Sequence, residues 1–150
     1  MSMADVSTGD APDAESVEMQ LEVLFIPVSD AERAKAFYSS LGWRLDQTPP
    51  GVVQFTPRGS GCSIQFGAGL TDAAPGSAKG LLVVSDIATA RNALLARGVD
   101  VSAIFHLGPD GPAPGPDPEG SSYLTLATFN DPDGNQWMLQ QVTTRLPGRV

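Results

Sequence analysis

Apolar residues recur at Ala34, Phe37, Tyr38 and Leu41, spaced i, i+3, i+4, i+7, which predicts a helix presenting one apolar stripe to a sheet. A second helix with a similar face is expected around Ile87, Ala90 and Leu94. Each follows a short alternating strand ending at Ser-Asp, in residues 26–30 (IPVSD) and 82–86 (LVVSD), where the aspartate can accept the orphan N–H groups of a helix start. Each helix stops at a glycine, Gly42 or Gly98, suited to the left-handed position beyond a helix end. These two stretches lie fifty-six positions apart and form an internal repeat. Further short alternating runs predict strands at 43–46, 52–56 and 62–66 in the first copy and at 99–105, 123–129 and 136–142 in the second. The pattern reads as two βαβββ modules, an α+β fold.

A chain of 150 residues is long enough for one domain with a real core and too short for two ordinary ones. Residues 1–18 are acidic and small, with little to bury, and are expected to be a disordered tail. The domain then spans 19–146, with module one at about 19–68, module two at about 78–146 and a short tail at 147–150. Residues 108–120 (GPDGPAPGPDPEG) are too rich in Pro and Gly for any regular element, and are expected to be a long surface loop of the kind that serves as a lid.

Charge and cysteine content narrow the class. The net charge is −8, and five of the acidic residues stand in the first eighteen positions, so the folded part is only mildly acidic. No cluster of Lys and Arg is present to neutralise phosphates, which argues against nucleic acid as a partner. The single cysteine, Cys62, cannot form an internal disulfide and is expected to be a small buried filler. Neither a charged-then-apolar leader nor an eighteen-residue apolar run occurs, so a cytoplasmic protein with no membrane partner is expected.

PVSDAERAKAFYSSLGW in the first unit, VVSDIATARNALLARGV in the second, and FNDPDGNQWMLQ near the end together resemble the vicinal oxygen chelate superfamily, which includes glyoxalase I, bleomycin-resistance proteins and extradiol dioxygenases. The resemblance covers about residues 20–146. It implies paired modules forming a curled, cup-shaped mixed sheet with helices on its outer face, often with two cups per homodimer. It does not imply one reaction, because this scaffold hosts lyases, isomerases, dioxygenases and drug binders.

In metal-dependent relatives, His, Glu or Gln ligands come from the cup-facing side of the first and last strands of each module. Strand residues alternate faces, so Leu24, Ile26 and Val28 are expected toward the helix and Val23, Phe25 and Pro27 toward the cup. The ligand positions implied by the resemblance fall on Val23, Gln65, Lys79 and Met138, with Trp137 and Leu139 facing the helix and Gln136, Met138 and Gln140 the cup. A valine cannot coordinate, an ordinary lysine is a cation, and a thioether suits soft ions, so one amide remains and the metal is expected to be lost, with no other cofactor implied.

The expected function is therefore metal-free binding of an apolar or aromatic organic compound, for sequestration or resistance, by a homodimer. Val23, Phe25, Gln65, Lys79, Phe105, Tyr123, Gln136, Met138 and Gln140 are the candidate ligand-binding residues. Phe129 is a further candidate aromatic wall, while Phe37, Tyr38, Trp43 and Trp137 are expected in the core. Asp131-Pro-Asp-Gly134 is read as a structural turn, with Asp30 and Asp86 as helix caps. The rival reading is an enzyme of the same superfamily, either metal-dependent or a metal-independent isomerase or cyclase using Gln65 and the lone histidine, His106, the one candidate catalytic residue.

Overall fold

Two aspartates start the helices. In the computed structural model, which describes residues 14–149, α1 (Ala31–Ser40) begins where Asp30 Oδ1 accepts from the N–H groups of Glu32 and Arg33 at 3.0 and 3.1 Å. The second helix, α2 (Ile87–Ala96), begins where Asp86 Oδ1 accepts from Thr89 N–H at 3.1 Å. Gly42 and Gly98, at φ +83° and +84°, end them as expected. Most of the acidic tail expected at 1–18 lies outside the described residues; its last part holds one turn of 3-10 helix, Ala14–Ser16.

Around the helices stand two mixed sheets. The first has the order β1-β4-β3-β2, built from β1 (Val23–Phe25), β2 (Arg44–Asp46), β3 (Val53–Thr56) and β4 (Ser63–Phe66), with β1 parallel to β4. The second has the order β5-β9-β8-β6-β7, built from β5 (Lys79–Val84), β6 (Phe105–Gly108), β7 (Gly111–Pro114), β8 (Thr125–Asn130) and β9 (Gln136–Gln141), with β5 parallel to β9. The two βαβββ modules of the sequence are present, the second with one strand added.

That added strand corrects the reading of 108–120 as a loop without regular structure. Residues 105–114 form a hairpin, β6 on β7, turning at Pro109-Asp110 with Gly111 at φ +111°. Prolines are tolerated there because β7 is the outermost strand, and Pro112 and Pro114, two residues apart, leave Ala113 between them opposite His106. Conversely, residues 99–104 are not a strand. Val99 and Val101 enter the core, and Ser102 ties the irregular segment to β8, its N–H donating to Thr128 O at 2.8 Å and its hydroxyl accepting from Thr128 N–H at 2.9 Å.

The helix-covered faces of both sheets belong to one core. Phe55, Ile64 and Phe66 from the first join Ala127, Phe129, Trp137 and Leu139 from the second around Tyr38 and Ala34 of α1. Phe129 thus packs in the core beside Trp137 rather than walling a cup. Gly80 stands opposite Trp137, where a Cβ would come within 2.3 Å of the indole ring. Ile26 is buried as expected, but Leu24, on the same face, remains 53% exposed because β1 is an edge strand. Cys62 is only half-buried, outside the strand that follows it.

A buried polar cluster joins the modules within this apolar core. The Tyr38 hydroxyl donates to Asp131 Oδ2 at 2.9 Å and accepts from the Trp137 indole N–H at 3.0 Å. Burial first, and then the Asp131 charge, raise the phenol far above its ordinary pKa and keep it a donor. Asp131 also accepts from the N–H groups of Asp133 and Asn135 and from Asn135 Nδ2, and Asn135 Nδ2 donates onward to Pro27 O at 2.8 Å. The D-P-D-G turn is structural, and it reaches well beyond its own hairpin. Tyr38→Phe keeps the shape but orphans the indole N–H and removes one donor from the carboxylate, so it is expected to cost about 2 kcal/mol of stability. Urea unfolding measures this, and a change within experimental error would remove the cluster from the account of module docking.

Candidate functional site

With one face of each sheet committed to the core, strand alternation leaves the other face of each for ligands. In the first sheet the pairing places Phe25, Gln65, Gln54 and Asp46 in one cross-strand row, and Val23, Ser63, Thr56 and Arg44 toward the same side. Phe25, 48% exposed, ends the row at the sheet edge. The polar members form a chain. Gln65 Nε2 donates to Gln54 Oε1 at 2.7 Å, Gln54 Nε2 donates to Asp46 Oδ2 at 2.9 Å, and Thr56 Oγ1 reaches the same carboxylate oxygen at 2.5 Å and Ser63 Oγ at 2.6 Å.

Asp46 anchors that chain. Its Oδ1 accepts from Arg44 Nε at 2.5 Å, and this bond is the main reason its pKa falls from 3.8 to about 2; desolvation opposes the shift, and the bonds from Thr56 and Gln54 assist it. A permanent carboxylate at one end orients both amides, so Gln65 commits its nitrogen to the chain and its oxygen takes no part in it. Gln65 was visible in the sequence; Arg44, Asp46, Gln54, Thr56 and Ser63 were missed. Their signal was the alternation of polar residues within 44–46, 54–56 and 63–65, which reads equally well as a solvated face.

The corresponding face of the second sheet is mostly apolar. One row runs Val83, Gln140, Leu126, Phe105; the next runs Leu81, Met138, Thr128; the last pairs Lys79 with Gln136 and Asn130. Leu81 and Val83 are 52% and 42% exposed on edge strand β5. Lys79 is exposed at the start of that strand. His106 pairs with Thr125, on the side opposite Phe105 and Leu126, and its Nδ1 bonds Gly115 O at 2.8 Å. It lines a separate cleft of about 520 Å³ with Asp117, Glu119 and Leu124. Tyr123 lies just before β8, its carbonyl accepting from Gln140 Nε2 at 3.0 Å.

The register therefore brings Val23 and Gln65 onto one open face and Lys79 and Met138 onto the other. This set offers a divalent ion one amide oxygen, which does not fit the ligand demand of zinc, iron or manganese. Among the described residues no group of three or more His, Cys, Asp or Glu side chains is placed to hold a metal ion, and no helix is long and apolar enough to cross a membrane.

Two helix-backed βαβββ sheets, each with one face open, define a paired-module cup protein. The model of the Glyoxalase/Bleomycin resistance protein/Dioxygenase superfamily matches residues 20–139, and the chain belongs to that superfamily. No curated protein matches it. Among solved structures, the antibiotic-binding protein TnmS3 of Streptomyces sp. CB03234 is 30% identical, with 83% of this chain and 97% of that one covered and a TM-score of 0.63. A glyoxalase/bleomycin resistance protein of the same organism is 31% identical over 81% of this chain and 100% of that one, with a TM-score of 0.61. A bleomycin-binding protein in complex with bleomycin shares the fold at 20% identity, with 83% and 98% covered and a TM-score of 0.55.

Because folding lowers the Asp46 pKa, its carboxylate contributes stability above the ordinary carboxylate range, and that contribution is lost as pH falls from 3.8 toward about 2. Asp46→Asn is expected to be less stable than the parent at neutral pH, with the gap closing across that interval. Denaturant midpoints measured at several pH values check this; a gap that does not change with pH would detach Asp46 from the network.

Proposed function

We propose that the protein binds a small apolar or aromatic organic compound on its open sheet faces without a metal ion, and that it serves to sequester that compound. The observation that carries this reading is the donor set at Val23, Gln65, Lys79 and Met138, where the superfamily scaffold is kept but a cation finds one usable ligand. The likeness to an antibiotic-binding protein at 30% identity supports the same reading. Apolar burial at about 25 cal/mol per Å² supplies most of the affinity, with Phe25, Leu81, Val83, Met138 and Phe105 as the surface offered. Polar groups then orient the compound: the oxygen of Gln65 on one face and Gln140 on the other.

The same exposure argues for a homodimer. Edge strands β1 and β5 carry half-exposed Phe25, Leu81 and Val83, an apolar margin that a second copy covers while closing each open face into a cup. The His106 side chain faces away from these surfaces, so the reading assigns it no part in binding.

Elemental analysis of protein purified without a histidine tag tests the metal-free reading. Zinc, nickel, manganese and iron are all expected far below one atom per chain, and near-stoichiometric content of any of them overturns the reading. Light scattering on the same sample is expected to give twice the mass of the chain.

A further inference from the structure

Gln140 is the one polar member of the row Val83, Gln140, Leu126, Phe105 across the second sheet. Its Nε2 donates to Tyr123 O at 3.0 Å, while its Oε1 is buried without a hydrogen-bond partner, alone in this respect among the described side-chain atoms. Turning the amide over does not help, because it sets Oε1 against the Tyr123 carbonyl and leaves two acceptors facing each other.

Tyr123 cannot move aside. Its φ is +74°, the left-handed region that no other described non-glycine residue occupies, and such a conformation persists only where its surroundings over-determine it. Four contacts hold it. Its N–H donates to Gln141 O at 2.9 Å, its carbonyl accepts from Gln140, its hydroxyl accepts from Leu146 N–H at 3.0 Å, and the Arg149 guanidinium lies 4.2 Å from its ring centre. The end of the chain is thereby strapped onto a strained residue whose carbonyl fixes which atom of Gln140 is left free.

We infer that Gln140 Oε1 is the specificity-determining acceptor of the second cup, and that its ligand carries a hydrogen-bond donor, a hydroxyl or N–H, on an aromatic body lying against Met138 and Phe105. Tyr123 is the positioning residue. This rests on the reading of the open face as a small-molecule site and adds the polarity the ligand must have. A buried acceptor without a donor is a standing cost that a donating ligand removes and an otherwise identical non-donor does not.

The test uses two probes differing at one oxygen, 2-naphthol and 2-methoxynaphthalene, titrated into the full-length protein with ¹³C-labelled methionine methyl groups. Both are expected to shift the Met138 methyl signal, with 2-naphthol binding about tenfold more tightly. Gln140→Leu is expected to weaken 2-naphthol to the level of its methyl ether and to leave the ether unchanged; Gln140→Met, of similar length, gives the same answer if the leucine variant does not fold. Equal affinity of the two probes for the parent protein overturns this inference and leaves the cup as a binding face. A preference that survives in Gln140→Leu overturns the assignment to Gln140. If neither probe moves Met138, the binding-face reading fails and this inference with it.

Discussion

A buried carboxylate sets the relation between the two halves of this protein. Asp131, 5% exposed, belongs to the second module, yet one of its oxygens receives the hydroxyl of Tyr38 in the first, and the neighbouring Asn135 donates to Pro27 O at the end of the first module's opening strand. Ser29 and Arg33 add bonds to Asp133 at the surface of the same junction. Hydrogen bonds of this kind demand fixed distances, whereas apolar contacts tolerate sliding, so the cluster supplies the register in which the aromatic rings of Tyr38, Trp43 and Trp137 meet edge to face or tilted. With the helix-covered faces locked together, the remaining face of each sheet has nowhere to turn but outward.

Those two outward faces differ in chemistry although they repeat one topology. The first carries a chain of amides and hydroxyls anchored on Asp46, the second an apolar surface interrupted at Gln140. On both, a fixed acceptor dictates how a glutamine amide lies: the Asp46 carboxylate through Gln54 in one case, the Tyr123 carbonyl in the other. A compound that touches both kinds of surface meets apolar area for affinity and oriented amides for discrimination, the usual division of labour in small-molecule sites.

Much of this was legible in the sequence because period and capping chemistry are local. The stripe at Ala34, Tyr38 and Leu41, the caps Asp30 and Asp86 and the glycines after each helix specify elements without reference to the rest of the chain. Alternation likewise indicated which way Met138, Gln140 and Gln65 point. What escaped depended on long-range neighbours. Prolines at 112 and 114 look like strand breakers until their strand is known to be outermost, and Phe129 looks like a pocket wall until its partner is known to be Trp137. The Asp46 network needs three strands in register, and the orphaned oxygen of Gln140 depends on a backbone dihedral at Tyr123 that no composition announces.

The junction at Asp131 is also lopsided. The second module's last hairpin reaches into the first, but among the described residues the first module's equivalent hairpin, around Pro57 to Gly61, forms only local bonds of its own. The repeat is therefore no longer interchangeable: Tyr38 is buried near the beginning of the chain and finds its polar partners nearly a hundred residues later. During synthesis from the amino terminus, the first half leaves the ribosome before the polar partners of Tyr38 exist. It reaches its finished state only when the closing hairpin emerges, so the two halves mature as one cooperative unit, although their repeated topology would suggest two.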